Sequence, residues 1–472
     1  MRPLARARGV WALLSACASN PAPAPDGARR DTSVDAVALD AADKPEAPSP
    51  PMDTLPPSDS SPPDRTFPDS TLPDTTLADS AGMDAPSLDR EDGAGATDVP
   101  REPAAVCLPV CVGGRRCEGG RCVNAWAPMA GAGAPAPRSH AAVAWTGREL
   151  FVWGGQNVLE LLHDGALYDP VANRWRPVAR VGAPSARFRA VAAWTGSEVL
   201  VWGGRNLSEP LQDGARYDPV TDRWRPASAV GAPAPRTNGV GLWSGTELYV
   251  WGGLGAELEA TGGRYDPVTD RWRALATTGA PSARTQCVGA WTGTELLVWG
   301  GSTGDGLVRD GGRYDPVMDR WRALSTEGAP APRSAASVGW SGTELLVWGG
   351  YTSSADQFRD GGRYDPRTDR WRPLALEGAP SARGDAPAVF TGRALFVWGG
   401  LSSDRSTRPA TVVRHDTGGL YDPVMDRWEP TEPLGAPSPR NEHALAWTGS
   451  EALVWGGAGT LMRLASGARF QP

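Results

Sequence analysis

Arg284-Thr285-Gln286-Cys287-Val288-Gly289-Ala290-Trp291-Thr292-Gly293-Thr294-Glu295-Leu296-Leu297-Val298-Trp299-Gly300-Gly301 contains two short strands and the turn between them. Cys287–Trp291 reads as a first strand, Thr292-Gly293 as a tight turn, and Glu295–Trp299 as a second strand. The second strand is apolar on both faces, as a strand packed between two sheets must be. Beyond a Gly-containing loop, residues 312–314 make a third strand. Asp315-Pro316-Val317-Met318-Asp319 makes a turn with Pro at its second position, and Arg320-Trp321-Arg322 makes a fourth strand.

The same four-strand phrase recurs through the chain. Trp-Gly-Gly stands at Trp153, Trp202, Trp251, Trp299, Trp348, Trp398 and Trp455, at spacings of 49, 49, 48, 49, 50 and 57 residues. Each copy is led by an arginine: Arg138, Arg187, Arg236, Arg284, Arg333, Arg383 and Arg440. Tyr-Asp-Pro follows in the first six copies, and the seventh ends Phe470-Gln471-Pro472 without a Trp-bearing fourth strand. Asn124-Ala125-Trp126-Ala127-Pro128, ahead of the first leading Arg, matches that missing strand, so Trp126 is expected to close a ring and leave no open edge.

A four-stranded unit at a period near 50, with Gly-Gly after the second strand, Tyr in the third and Trp in the fourth, resembles the kelch repeat. The resemblance covers 124–472. It implies an all-β fold, a seven-bladed kelch-type β-propeller closed by an N-terminal strand. It says little about activity, because fold does not fix function. The tryptophans and leading arginines repeat in every copy and are therefore read as structural rather than as a carbohydrate-stacking platform.

The rest of the chain differs in composition. Residues 18–104 hold 18 acids and 6 bases, no Trp or Tyr, and one Phe, whereas 20 of the 21 tryptophans lie beyond them. Pro, Asp, Ser and Thr at this density form no core, so 18–104 reads as a disordered acidic stalk with a span of roughly 50 Å. Subtracting this stalk and the basic leader from the net charge of −7 leaves about +2 on the remainder, which gives no footprint for nucleic acid. Arg2, Arg6 and Arg8 precede the apolar Val10–Leu14 and then Ser15-Ala16-Cys17, the layout of a secretory signal. Leu14-Ser15-Ala16-Cys17 resembles a bacterial lipobox. That resemblance implies lipidation at Cys17, membrane attachment through the lipid alone and, with Ala18 rather than Asp next, the outer membrane or cell surface. An ordinary signal peptide is the alternative. In 105–123, Cys107, Cys111, Cys117 and Cys122 read as a disulfide-bearing segment with three open pairings, and a zinc site is the alternative.

Function is sought where the copies disagree. Two residues after each leading Arg stand His140, Arg189, Asn238, Gln286, Ala335, Asp385 and Glu442, with His443 one place on. All of these except Ala335, with Tyr351 in a neighbouring loop, are the candidate ligand-binding residues. In an up-and-down blade with strands a to d, the d–a and b–c loops share one face. The loop at 401–420 is at least seven residues longer than its six counterparts. The expectation is a monomer that binds an as yet unspecified protein or glycan on this face, without cofactor, metal or catalytic residue. The alternatives are an extracytoplasmic enzyme on the same fold, carbohydrate-active or a copper oxidase using His140, His443 and Cys287, and a purely structural envelope protein. If Cys17 carries lipid, the wild-type protein partitions into detergent and Cys17→Ala into the aqueous phase. Equal aqueous release of both would refute lipidation.

Overall fold

The computed structural model describes residues 116–118, 121–123, 125–353, 356–404 and 411–472. Contacts divide the chain into Met1–Ala96 and Thr97–Pro472, and every described residue lies in the second unit. Cys17, the 18–104 segment, Cys107 and Cys111 lie outside the described residues. The backbone of Arg116–Glu118 pairs with that of Arg121–Val123, placing Cys117 opposite Cys122.

Seven four-stranded antiparallel sheets make up the propeller. In the fourth, strand a is Val288–Trp291, b is Leu296–Trp299, c is Gly311–Asp315 and d is Arg320–Ala323, each within a residue or two of its sequence-predicted bounds. Strand b is buried at all four positions in every blade, because it is sandwiched between the neighbouring sheets.

The blades are joined by aromatic contacts that repeat without exception. The strand-b Trp of each blade packs on the strand-d Trp of the next: Trp153 on Trp224, Trp202 on Trp272, Trp251 on Trp321, Trp299 on Trp371 and Trp348 on Trp428, with ring centroids 5.0–5.5 Å apart. Trp455 of the seventh blade meets Trp175 of the first at 5.1 Å. The remaining pair is Trp398 with Trp126, at 5.2 Å. Strand Ala125–Pro128 pairs with Gly467–Gln471, setting Trp126 opposite Phe470, so the N-terminal strand completes the seventh blade as its repeat register requires. Arg469 extends the closure by donating from Nη1 to the Pro170 carbonyl of the first blade at 2.9 Å.

The leading arginines are buried structural clamps. Arg284, for example, is 0 % exposed and donates to the carbonyls of Ser282, Gly300 and Asp310. It thereby fastens the d–a loop to the b–c loop of its own blade, adding a second donor to the Asp310 carbonyl that the Gly300 amide already meets. The residue after each leading Arg also bridges to the residue after Gly-Gly, as Thr285 does with Ser302. The two loops therefore share one face, as the up-and-down order predicts.

Removing Trp126 strips an aromatic from the strand that closes the ring between the two ends of the propeller. Trp126→Ala is expected to lower stability by about 3–5 kcal/mol in denaturant unfolding. In a double-mutant cycle with Trp398→Ala, a coupling of about 0.5–3 kcal/mol is expected. A loss below about 1 kcal/mol would show that the ring does not depend on this contact.

Candidate functional site

At the channel mouth, the seven residues that begin strand a share one unusual backbone conformation. His140, Arg189, Asn238, Gln286, Ala335, Asp385 and Glu442 have φ values of 54, 56, 55, 54, 49, 49 and 57°. For L-residues other than Asn, Asp and His this left-handed region is uncommon. A ring of backbone hydrogen bonds accounts for it. Five of the seven amides donate to the carbonyl of the same register in the preceding blade: His140 to Glu442, Arg189 to His140, Gln286 to Asn238, Ala335 to Gln286 and Asp385 to Ala335, at 3.0–3.3 Å. The ring consumes backbone donors and leaves the side chains to differ.

The side chains divide the mouth in two. Blades 3, 4 and 5 present Asn238, Gln286 and Ala335, which are uncharged. Blades 6, 7, 1 and 2 present Asp385, Glu442, His140 and Arg189. A concavity of about 260 Å³ is lined by six of these residues, all but Glu442, together with Cys287.

The charged half is built with some care. Tyr351, the residue after Gly-Gly in blade 5, reaches blade 6 and donates its hydroxyl to Asp385 Oδ2 at 2.8 Å. Gly384 makes this reach feasible, since a Cβ there would lie 2.4 Å from the Tyr351 ring. Burial raises the Asp385 carboxyl above its ordinary pKa, against the lowering effects of Tyr351 and Arg189. Glu442 is raised by burial first and then by the Asp385 charge. Its Oε2 lies 3.3 Å from His140 Nδ1. This contact is not an ion pair, because burial and then Arg189 and Arg463 hold the His140 pKa well below its usual value.

Two more arginines belong to the mouth: Arg414, in the long loop that the sequence marks by its length, and Arg463, which sequence reasoning missed. Arg414 donates from Nε to Asn441 Oδ1 at 3.0 Å, and its electrostatic neighbours include Glu442, Arg463 and Tyr351. Both arginines sit in b–c loops of unequal length, where no repeat register marks them. The long loop after Trp398 adds a hairpin, Leu401–Asp404 with Thr411–Arg414, that leans on blade 5 through the Ser403 amide and Gln357 Oε1 at 3.0 Å. Its residues 405–410 lie outside the described set.

His443 takes no part in the mouth. It is 6 % exposed and packs edge-on against Trp398 at 5.5 Å, and neither ring nitrogen has a hydrogen-bond partner. Cys287 lines the channel, but burial pushes its thiol up to about 12. Among the described residues no three His, Cys, Asp or Glu side chains are grouped to hold a metal, so His140, His443 and Cys287 are not brought together as a ligand set.

Larger concavities lie on the opposite face. That between blades 2 and 3, about 750 Å³, is lined by Glu198, Arg216 and Arg225. These side chains are already paired: Glu198 accepts from Arg216 and Arg225 at 2.7–2.9 Å. The motif recurs as Glu295 with Arg313 and Arg322, so these side chains answer one another from blade to blade rather than standing open to a ligand.

A family model described as the KLHDC2/KLHL20/DRC7 Kelch-repeats domain matches residues 123–301 and again residues 289–468. The chain belongs to the kelch-repeat family. No curated protein matches it. Kelch propellers commonly serve as protein-binding modules, which is consistent with a site on the divergent loop face.

The buried His443 of this kelch ring predicts an acid-sensitive core. Burial, then Arg440, lowers its pKa from 6.5 to about 3. A depressed folded-state pKa means that the stability is present above pH 6.5 and is lost as pH falls from there toward 3. By pH 4.5 the loss from this residue is about 2–3 kcal/mol. His443→Ala, which restores the small residue of Ala141 or Ala336 at this register, is expected to lose that much less stability between pH 7.5 and 4.5 than the wild type. Denaturant unfolding at the two pH values measures the difference. Equal losses in the two proteins would contradict the assignment.

Proposed function

We propose that this kelch propeller is a lipid-anchored, extracytoplasmic binding module that takes a protein or glycan ligand on its d–a/b–c loop face. One observation carries the reading. Seven positions share φ and, at five of them, the same backbone hydrogen bond, yet they carry seven different side chains. A residue demanded by the fold would repeat, as the leading arginines and strand-b tryptophans do. Here the backbone is held constant while the chemistry varies, which is how a rigid scaffold presents a ligand site.

The basic leader with Leu14-Ser15-Ala16-Cys17, the acidic tether and the cysteine-rich segment support export and anchoring. Closure of the ring within one chain supports a monomer. The alternative of a carbohydrate-active enzyme draws on Asp385 and Glu442, both raised by burial in one mouth. Turnover that is lost in Asp385→Ala and kept in Arg189→Ala would favour it.

A glycan array and an envelope-protein pull-down with the full chain identify the ligand. Arg189→Ala and Asp385→Ala are then each expected to weaken it about tenfold or more, whereas Val220→Asp and Val317→Asp on the c–d turns, at 90 % and 89 % exposure, leave it unchanged. Both alanine substitutions suit the backbone, because Ala335 already occupies the same register at φ 49°. The opposite pattern would move the site to the other face.

A further inference from the structure

The guanidinium of Arg189 makes no hydrogen bond and no ion pair among the described residues, although it lines the mouth and burial lowers its pKa. It sits over the Phe188 ring, 5.8 Å from the centroid. Arg463 resembles it: its Nε is buried without a partner, and it lies close enough to His140 and Glu442 to affect their titration. A partly buried guanidinium at a concave mouth with no protein acceptor is positioned to take one from an entering anion. Glu442 and Asp385 act on Arg189 only at a distance, the latter from three blades away around the ring.

We infer that the channel mouth takes a sugar acid, a hexuronate unit of an acidic polysaccharide, with its carboxylate on Arg189 and its ring hydroxyls on the Asn238 and Gln286 amides. This rests on the reading of the mouth as the binding surface and specifies its ligand. Four features select the class. The space of about 260 Å³ falls just below the range of roughly 300–1,000 Å³ usual for small-ligand pockets, so it admits one ring rather than a folded loop.

The second feature is the backbone. The mouth's amides at five of seven positions are committed to the inter-blade ring, so recognition falls to side chains. Peptides are commonly read through free backbone at a sheet edge or through apolar anchor pockets, and the ring residues offer neither. The third is the division of the mouth: a carboxyl amide is both donor and acceptor and suits vicinal hydroxyls, whereas a guanidinium fork suits a carboxylate. A sugar acid carries both groups on one rigid ring. The fourth is Asp385 and Glu442, which share the mouth and oppose a second negative charge. A monoanionic carboxylate is therefore favoured over a phosphate dianion.

The test is calorimetric titration of the full chain with oligogalacturonate and oligoglucuronate, with neutral oligomers of galactose and glucose of equal length, and with a Glu-rich peptide. One or both uronates are expected to bind, with the neutral oligomers at least tenfold weaker. Arg189→Ala is expected to weaken the uronate about 10- to 100-fold, Asn238→Ala to weaken uronate and neutral oligomers alike, and Val220→Asp to change nothing. Absence of uronate binding, equal binding of neutral oligomers, or an unchanged affinity in Arg189→Ala would overturn the inference. If the Glu-rich peptide binds instead and Arg189→Ala abolishes it, the sugar-acid inference fails while the mouth stands as the site. If a ligand from the array or pull-down is indifferent to Arg189→Ala, Asp385→Ala and Asn238→Ala together, both readings fail.

Discussion

The contact on which the rest of the ring depends is the strand-b tryptophan of one blade against the strand-d tryptophan of the next. A blade of four short strands has few side chains with which to fill the wedge toward its neighbour, and an aromatic supplies the most area per residue. Burying about 200 Å² at roughly 25 cal/mol per Å² contributes about 5 kcal/mol, as an upper estimate. Against this stands a debit, because the indole N–H of all seven strand-b tryptophans is buried without an acceptor. An orphaned donor costs about 1–3 kcal/mol, so the apolar term wins at each junction. The strand-d tryptophans avoid the penalty: Trp321 Nε1, for example, donates to the Ala276 carbonyl of the preceding blade's d–a loop at 2.9 Å.

Because this contact and the Arg clamp are delegated to fixed positions, the register at the channel mouth is released from packing duty. Its geometry is set by inter-blade backbone bonds that do not involve the side chain. Arg189, Gln286, Ala335 and Glu442 accept a left-handed conformation that costs on the order of 1–2 kcal/mol each, because the surrounding ring over-determines it. Once that strain is met by the backbone, one side chain exchanges for another at little further cost. The exception is informative. Asp385 is tied to Tyr351, and Tyr351 reaches it only past Gly384, so three residues on two blades depend on one another.

The blade count, the strand bounds and the closure through Trp126 were legible because they repeat, and periodicity carries the signal where single residues do not. The mouth register was legible as a place of disagreement, but its conformation was not. Propensity places Arg, Gln and Glu far from the left-handed region, and only the inter-blade ring overrides it. His443 was misleading for a local reason. It is one residue beyond Glu442, and along an extended chain that step reverses the direction of the side chain, turning it from the channel into the core against Trp398. Asn157 and Asn206, in b–c loops of the same face, each spend the carboxamide oxygen on amides of their own loop.

Net charge also hid the site. A folded portion near neutrality averages an opposite face of paired Glu and Arg with a mouth where Arg189, Arg414 and Arg463 outnumber Asp385 and Glu442. Within the mouth these groups set one another's protonation: the Asp385 charge raises Glu442, and Arg189 and Arg463 keep His140 neutral. Burial adds to both effects, so the acids are driven toward their neutral form while the guanidiniums stay charged. An entering anion would reverse part of that balance by favouring protonation of His140 and Glu442, so its binding would take up protons.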